Sequence, residues 1–237
     1  HRSAVIAVLD DSPGARFNII SLLDDLAGFD GEVIVVFNGP AMFEALKDHP
    51  RIDKWSLNRH NVGVGRAWNI GLNQAEGAVV FVLNADLHVT PAALLEIECQ
   101  LLTLPEAVIV GVGGDLLDLR TLQPTLIRQR QEVTQPMPVD RVSGYLLALH
   151  AQRFHDAGMS FDPRFSPYFH EETDIALQAR AHGLKLYAVP AAGVEHDYGI
   201  SCRDRPILWF GRPVETHRMQ VENGLLLLEK WRRHAGL

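Results

Sequence analysis

The sequence predicts an α/β protein in which a mixed, mostly parallel β-sheet is flanked by helices on both faces. Three observations carry this. Glu32–Phe37, Ala78–Leu83 and Ala107–Val112 are apolar almost end to end instead of alternating, as strands buried on both faces must be. Segments with helical periodicity separate them, the pattern of βαβ units. The chain has 237 residues, 47% hydrophobic and 22% charged, the size of one large or two small domains with an ordinary globular core. A single domain is the expectation.

Taken in order, Ser3–Asp10 is a β-branched and apolar run that stops at Asp10-Asp11-Ser12-Pro13-Gly14, a strand followed by turn chemistry. Pro13 suits a first helical position, and Ile19, Leu22, Leu23 and Leu26 recur at helical spacing after it. Glu32–Phe37 ends at Asn38-Gly39-Pro40, with a short helix over Ala41–Lys47 and a weaker strand over Lys54–Asn58 to follow. Gly63–Gln74 reads as a glycine-opened helix with Gly77 as its stop. Pro91–Leu104 is a helix with proline at its start. After Asp118 the pattern changes, and residues 119–138, rich in Gln, Thr, Arg and Pro, read as an irregular excursion. Val142–His150 then reads as a strand, Ala151–Ala157 as a short helix, Glu171–His182 as a firm helix and Lys185–Val189 as a strand. Between Val214 and Arg233, Val221, Leu225, Leu228 and Trp231 share one face of a packing helix.

Lys and Arg number 22 against 29 Asp and Glu, for a net charge of −7. That balance argues against a nucleic-acid binder and leaves room for a locally positive pocket holding a small anion. No apolar run reaches membrane-spanning length, and no secretory leader is recognisable. Cys99 and Cys202 lack CxxC or metal-ligand spacing, so a reducing, cytoplasmic setting is expected. The chain opens at His1 directly into a strand pattern, as expected of a trimmed chain or one domain of something longer.

Several familiar motifs fail. His170-Glu171 begins like HExxH, but position 174 is Asp. GxSxG and GxxxxGK[ST] are absent. Gly63-Val64-Gly65 lacks the third glycine of a dinucleotide fingerprint, and the first strand–helix turn carries Asp-Asp-Ser in place of glycines.

Four segments in order carry a resemblance: Asn61-Val62-Gly63-Val64-Gly65-Arg66-Ala67-Trp68-Asn69-Ile70-Gly71; Leu83-Asn84-Ala85-Asp86-Leu87; Gly144 with Phe161-Asp162, Phe165, Glu171-Glu172-Thr173-Asp174, Arg180 and Gly183; and His196-Asp197-Tyr198-Gly199-Ile200-Ser201. Together, over roughly residues 3–201, they resemble the inverting nucleotide-sugar glycosyltransferases of family 2, particularly their rhamnosyltransferase-like branch. The resemblance implies a GT-A fold: a nucleotide-binding half over 1–118, an acceptor and catalytic half over 119–201, and a C-terminal helical extension over 202–237. It also implies transfer of a hexosyl or deoxyhexosyl group from a nucleoside diphosphate-sugar to a hydroxyl of a glycan or lipid-linked glycan.

The residues can be read physically beside it. Asp10 and Asp11 lie at a strand end, where open α/β sheets bind ligands, though Asp11 or Ser12 would equally cap a helix. Asn38 occupies the place where relatives often carry an Asp facing the base, and its amide oxygen can accept a ring N–H. Gly63 and Gly65 would let backbone approach the nucleotide, with Arg66 facing the diphosphate and Asn69 on the same helix. The alternative is a tight strand-to-helix connection capped by Asn61. Asp86, after an apolar strand, suits a hard divalent cation such as Mg²⁺ or Mn²⁺, with Asn84 placed to hydrogen-bond ribose and His196 as a second ligand. Glu171, Glu172 and Asp174 in one helical turn complement the helix dipole, while the resemblance puts Glu172 at the position of the catalytic base and Glu171 beside it as the alternative. Long irregular segments are often functional, so residues 119–138 are expected to line the acceptor. Two rival readings are a non-catalytic sugar-nucleotide or glycan-binding domain that kept the fold, and a nicotinamide-dependent oxidoreductase.

Overall fold

The computed structural model describes residues 1–12, 15–196 and 207–235. Its first half contains β1 (Arg2–Val8), α1 (Ile19–Asp25), β2 (Glu32–Phe37), α2 (Phe43–Leu46), β3 (Lys54–Leu57), α3 (Val64–Leu72), β4 (Val79–Asn84), β5 (Leu87–Val89), α4 (Pro91–Thr103) and β6 (Ala107–Gly111). The remainder contains β7 (Gly114–Asp118), β8 (Gln123–Arg128), β9 (Met137–Val139), β10 (Arg141–Val142), β11 (Leu146–His150), α5 (Ala151–Asp156), α6 (Glu171–Ala181), β12 (Lys185–Ala188), β13 (Val194–His196), β14 (Ile207–Trp209), β15 (Arg212–Val214) and α7 (Thr216–Ala235). The main sheet has eight strands in the order β3-β2-β1-β4-β11-β6-β12-β9. Pairings β1–β2, β1–β4, β2–β3 and β6–β12 are parallel, whereas β11 runs antiparallel to both β4 and β6. This is the predicted class, in one domain.

The sheet is buried on both faces. Along β1, β2 and β4, residues Ala4, Ile6, Val33, Val35, Phe81 and Leu83 join one core with α1 and α4, through Leu22, Leu23, Leu94 and Ile97. Their neighbours Val5, Ile34, Val80 and Val82 face the other core, with Trp68 of α3, Phe161 and Ile175 of α6. The period-two alternation of strand side chains therefore feeds two apolar layers, which is why these strands read as continuous apolar runs. Among the described residues no helix is long and apolar enough to cross a membrane.

Several sequence expectations need correction. Pro13 lies outside the described residues, and α1 begins only at Ile19; Asn18 caps it, accepting from the N–H groups of Ile20 and Ser21 at 3.0 and 3.2 Å. Neither Asp11 nor Ser12 is the cap. Gly77 does not stop α3, which ends at Leu72; a Cβ on Gly77 would lie 2.5 Å from the Ser3 nitrogen, so the glycine permits close approach to β1. The expected strand Val142–His150 breaks at Ser143–Tyr145 into β10 and β11. Residues 119–138 are not wholly irregular, because β8 pairs with β7 and β9 closes the main sheet. Strand β8 is exposed along nearly its whole length, so burial left no apolar pattern to read. On α7, Val221 and Leu225 are exposed, and the buried positions are Met219, Asn223 and Leu227, with Leu228 and Trp231 partly covered.

The C-terminal helix is tied to α6 by charge. Asp174, fully buried, accepts from Lys230 Nζ at 2.7 Å, Trp231 Nε1 at 2.8 Å and Gln178 Nε2 at 2.8 Å. Lys230 also reaches Asp162 at 2.9 Å. Burial pushes the Asp162 carboxyl up, but hydrogen bonds from Arg164 and Lys230 outweigh it and hold it well below the usual carboxylate range. Its stabilising contribution is therefore complete above that range and fades only in strong acid, as pH falls through the depressed value. Removing one partner of a buried ion pair leaves an uncompensated charge. Lys230→Met is expected to destabilise the fold by about 3–5 kcal/mol in chemical denaturation, and adding Asp174→Asn is expected to recover much of that loss.

Candidate active site

Strands β1, β2 and β4 point their C-terminal ends toward one edge of the sheet, and antiparallel β11 brings its N-terminal end to the same edge, with Leu146 opposite Leu83. The loops there hold Asp10, Asn38, Asn84, Asp86 and the pair Gly144-Tyr145. Open α/β sheets bind ligands at this edge because strand ends diverge into loops around a crevice.

Asp86 and His196 meet although 110 residues separate them. The short strand β13 pairs with β5 and sets His196 opposite Leu87, which aims its Nε2 at Asp86 Oδ1 across 3.2 Å. Both side chains are nearly buried. The His196 ring stacks on Tyr145, centroids 4.6 Å apart and planes within 7°. Tyr145 in turn accepts from the Asn84 N–H through its carbonyl at 3.0 Å, fixing the end of β4. Of the fourth sequence segment, residues 197–201 lie outside the described residues.

One carboxylate oxygen facing one imidazole nitrogen is a donor set that fits a divalent cation of the Mn²⁺ type, with most of the shell left to ligand oxygens and water. Among the described residues no group of three or more His, Cys, Asp or Glu could hold a metal by itself. The pair therefore suits a cation that arrives with an anionic ligand.

Glu171 and Glu172 open α6 in contrasting surroundings. Glu171 is sealed in: its Cβ faces Gly65, and Oε2 has no hydrogen-bond partner among the described residues. Burial, and then the neighbouring Glu172 charge, push its carboxyl well above the ordinary value. Glu172 is half-buried; its Cβ and Cγ would lie 3.6 and 3.7 Å from a Cβ on Gly144, and Oε1 is 3.7 Å from Arg141 Nη1. His170, which precedes them at φ +73°, is pushed down, mainly by burial. Consecutive residues Gly144 and Tyr145 thus touch Glu172 and His196, linking the two candidate groups through one backbone turn.

Other expected site residues turn inward. Asn38 is buried, donates to Asn61 Oδ1 at 2.9 Å and accepts from the Val62 N–H at 2.9 Å. The oxygen expected to meet a base already holds the 58–63 loop. Asn69 grips the backbone of Phe161, donating to its carbonyl at 2.7 Å and accepting from its N–H at 3.0 Å. Gly63, at φ +95°, leaves space occupied by Ser166, whose Oγ would lie 2.6 Å from an added Cβ. Its glycine character has an internal cause, the packing of α3 on the 161–171 segment. Asn61 is not the cap of α3, a place taken by Gly63; its Oδ1 accepts from the Gly63 N–H at 2.9 Å. Arg66 reaches the Val62 carbonyl at 3.3 Å and lies 5.9 Å from the Phe210 ring, while Asp10 accepts from the Ser12 N–H at 3.0 Å and Asp11 is exposed.

Sequence reasoning missed Tyr145, Arg141 and Asp115. Arg141 reaches Asp115 through Nε at 2.8 Å and Thr173 Oγ1 through Nη1 at 3.0 Å. A charged residue on either side of an apolar run was the available signal, and it does not by itself say which side chains meet.

Among solved structures, the chain is similar to GalNAc-T7 crystallised with UDP, GalNAc and Mn²⁺, at TM-score 0.64 and 18% identity over 83% of this chain and 44% of that one. It is also similar to the mannosyltransferase PcManGT from Pyrobaculum calidifontis with GDP-Man and Mn²⁺, at TM-score 0.57 and 16% identity over 81% and 55%, and to S. aureus TarS, at 0.57 and 16% over 81% and 36%. The chain thus spans about half or less of these proteins' lengths. No curated protein matches it. Residues 3–131, more than half of the chain, match the model of glycosyl transferase family 2. The chain belongs to glycosyl transferase family 2.

Proposed function

We propose that this chain is the catalytic domain of a metal-dependent, inverting glycosyltransferase that moves a hexosyl or deoxyhexosyl group from a nucleoside diphosphate-sugar to a hydroxyl of a glycan or lipid-linked glycan. The observation that carries it is the convergence of Asp86 and His196 with Glu172 on Gly144-Tyr145 at the ligand-binding edge of the sheet. The Mn²⁺ and the UDP- or GDP-linked ligands of the structural neighbours support the reading.

Asp86 and His196 would hold the cation, Mn²⁺ before Mg²⁺ because of the imidazole. When bound, the cation supplies charge neutralisation to a diphosphate leaving group. Asn84, Asp10, Asp11 and Arg66 ring the donor, and Asn38, Gly63 and Asn69 act on it by fixing the loops. The acceptor hydroxyl attacks the anomeric carbon from the face opposite the diphosphate. As the new C–O bond forms and the bond to the diphosphate breaks, Glu172 takes the hydroxyl proton. Glu171 is the weaker candidate, since it is buried, away from an incoming hydroxyl, and its carboxyl is pushed well above the ordinary value. Residues 119–138 contribute to the acceptor side from strands β8 and β9.

Calorimetric titration of UDP and GDP, with and without Mn²⁺, tests the donor site. Asp86→Ala is expected to abolish the Mn²⁺-dependent part of binding with the fold intact, and His196→Ala to weaken it by about tenfold, roughly 1.4 kcal/mol. Unchanged affinity in Asp86→Ala would remove the assignment.

Turnover tests the base. Glu172→Gln keeps the shape and loses the basicity, so kcat is expected to fall by about 10²–10⁴ with donor affinity nearly constant. If Glu171→Gln alone stops turnover, the neighbouring glutamate is the base.

A further inference from the structure

We propose that Arg141 is a positioning residue for transfer: its guanidinium, fixed by Asp115 and Thr173, is the cation set against the glutamate pair at Glu172 Oε1. The proposal rests on Glu172 being the base.

The geometry is specific. β10 pairs with β7 so that Arg141 stands directly opposite Asp115. Nε donates to Asp115 Oδ2 at 2.8 Å and Nη2 contacts the same carboxylate oxygen. Nη1 donates to Thr173 Oγ1 at 3.0 Å and faces Glu172 Oε1 at 3.7 Å. Asp115 and Thr173 are buried, so a planar fork held on two sides has little freedom to turn. The Arg141–Asp115 pair is neutral as a whole and presents its positive edge to α6.

Two adjacent acids in one partly buried turn do not ionise independently. Glu171 faces Gly65 with an oxygen that has no partner among the described residues, a poor place for charge, and burial also disfavours charge on His170. Glu172 faces Arg141 and the open side of Gly144. At 3.7 Å the guanidinium lies beside Oε1 of Glu172 without forming a short hydrogen bond that would hold the lone pair needed for proton abstraction. The groups that face the pair are His170 on its own element, Arg141 from β10 and, through Arg141, Asp115 from β7.

The test uses Arg141→Met and Arg141→Lys with UDP-GlcNAc, Mn²⁺ and water as acceptor, beside ¹³C NMR titration of glutamate carboxyls in the ligand-free protein. In Arg141→Met, hydrolysis is expected to fall roughly 10- to 100-fold and the acid limb of its pH profile to move up by about one pH unit, with UDP affinity unchanged. The Glu171 carboxyl signal is expected to titrate at still higher pH, because Arg141 is a charge that lowers it. Arg141→Lys is expected to return both limb and signal toward the parent. A loss of rate with no movement of the limb or of the Glu171 signal, or no recovery in Arg141→Lys, would make Arg141 a structural residue only and overturn the proposal. The NMR arm decides even where this donor is not turned over. Full activity in Glu172→Gln would instead overturn the base assignment, a separate failure.

Discussion

Strand β11 runs antiparallel between β4 and β6 in a sheet whose β1–β2, β1–β4 and β2–β3 pairings are parallel, and that reversal is the constraint on which the candidate site depends. A parallel strand inserted there would enter from the opposite edge and leave Gly144-Tyr145 far from the end of β4. Because β11 enters at the crevice edge, the residues before it bridge Asn84 and His196 on one side and Glu172 on the other. The same reversal separates the loops after β1, β2 and β4 from the three-stranded β10-β7-β8 sheet, which borders α6. The Gly144-Tyr145 turn is therefore a wall shared by the candidate groups on both sides of it.

The first turn of α6 places three acids in low dielectric and handles each differently. Asp174 is fully buried but meets Lys230 and Trp231, so its charge is compensated. Glu171 is buried, its Oε2 has no hydrogen-bond partner among the described residues, and burial pushes its carboxyl well above the ordinary value. Glu172 is half open and faces Arg141 at 3.7 Å. Acidic residues at a helix start are favoured by the dipole, yet that common explanation does not distinguish them. What distinguishes them is the partner each finds from a distant part of the chain.

Strands buried on both faces were legible in the sequence, Glu32–Phe37 to the residue, because continuous apolar runs follow from two-sided burial. Helices α4 and α6 were legible through periodicity and, for α4, proline at the start. Strand β8 was not, since an exposed strand carries no apolar signature. Of the expected site residues, Asp86 and His196 were singled out on short motifs, and their meeting follows from β5–β13 pairing. The internal contacts of Asn38, Asn69 and Gly63 were not legible because their partners lie 23, 92 and about a hundred residues away, and chemistry alone does not name a contact at that separation.

The strand order has a consequence for how the molecule is assembled. β4 and β6 belong to the first 111 residues, yet the strand between them is residues 146–150. During synthesis the leading segment can pair β1, β2, β3 and β4, but β6 has no edge to join until β11 has emerged and settled. The apolar residues Val108, Ile109 and Val110 must wait through that interval without their final neighbours. Pairings this distant are slow to form, and an unpaired apolar strand is a template for the wrong partner. The arrangement that builds the crevice also makes the family-like leading portion an incomplete folding unit.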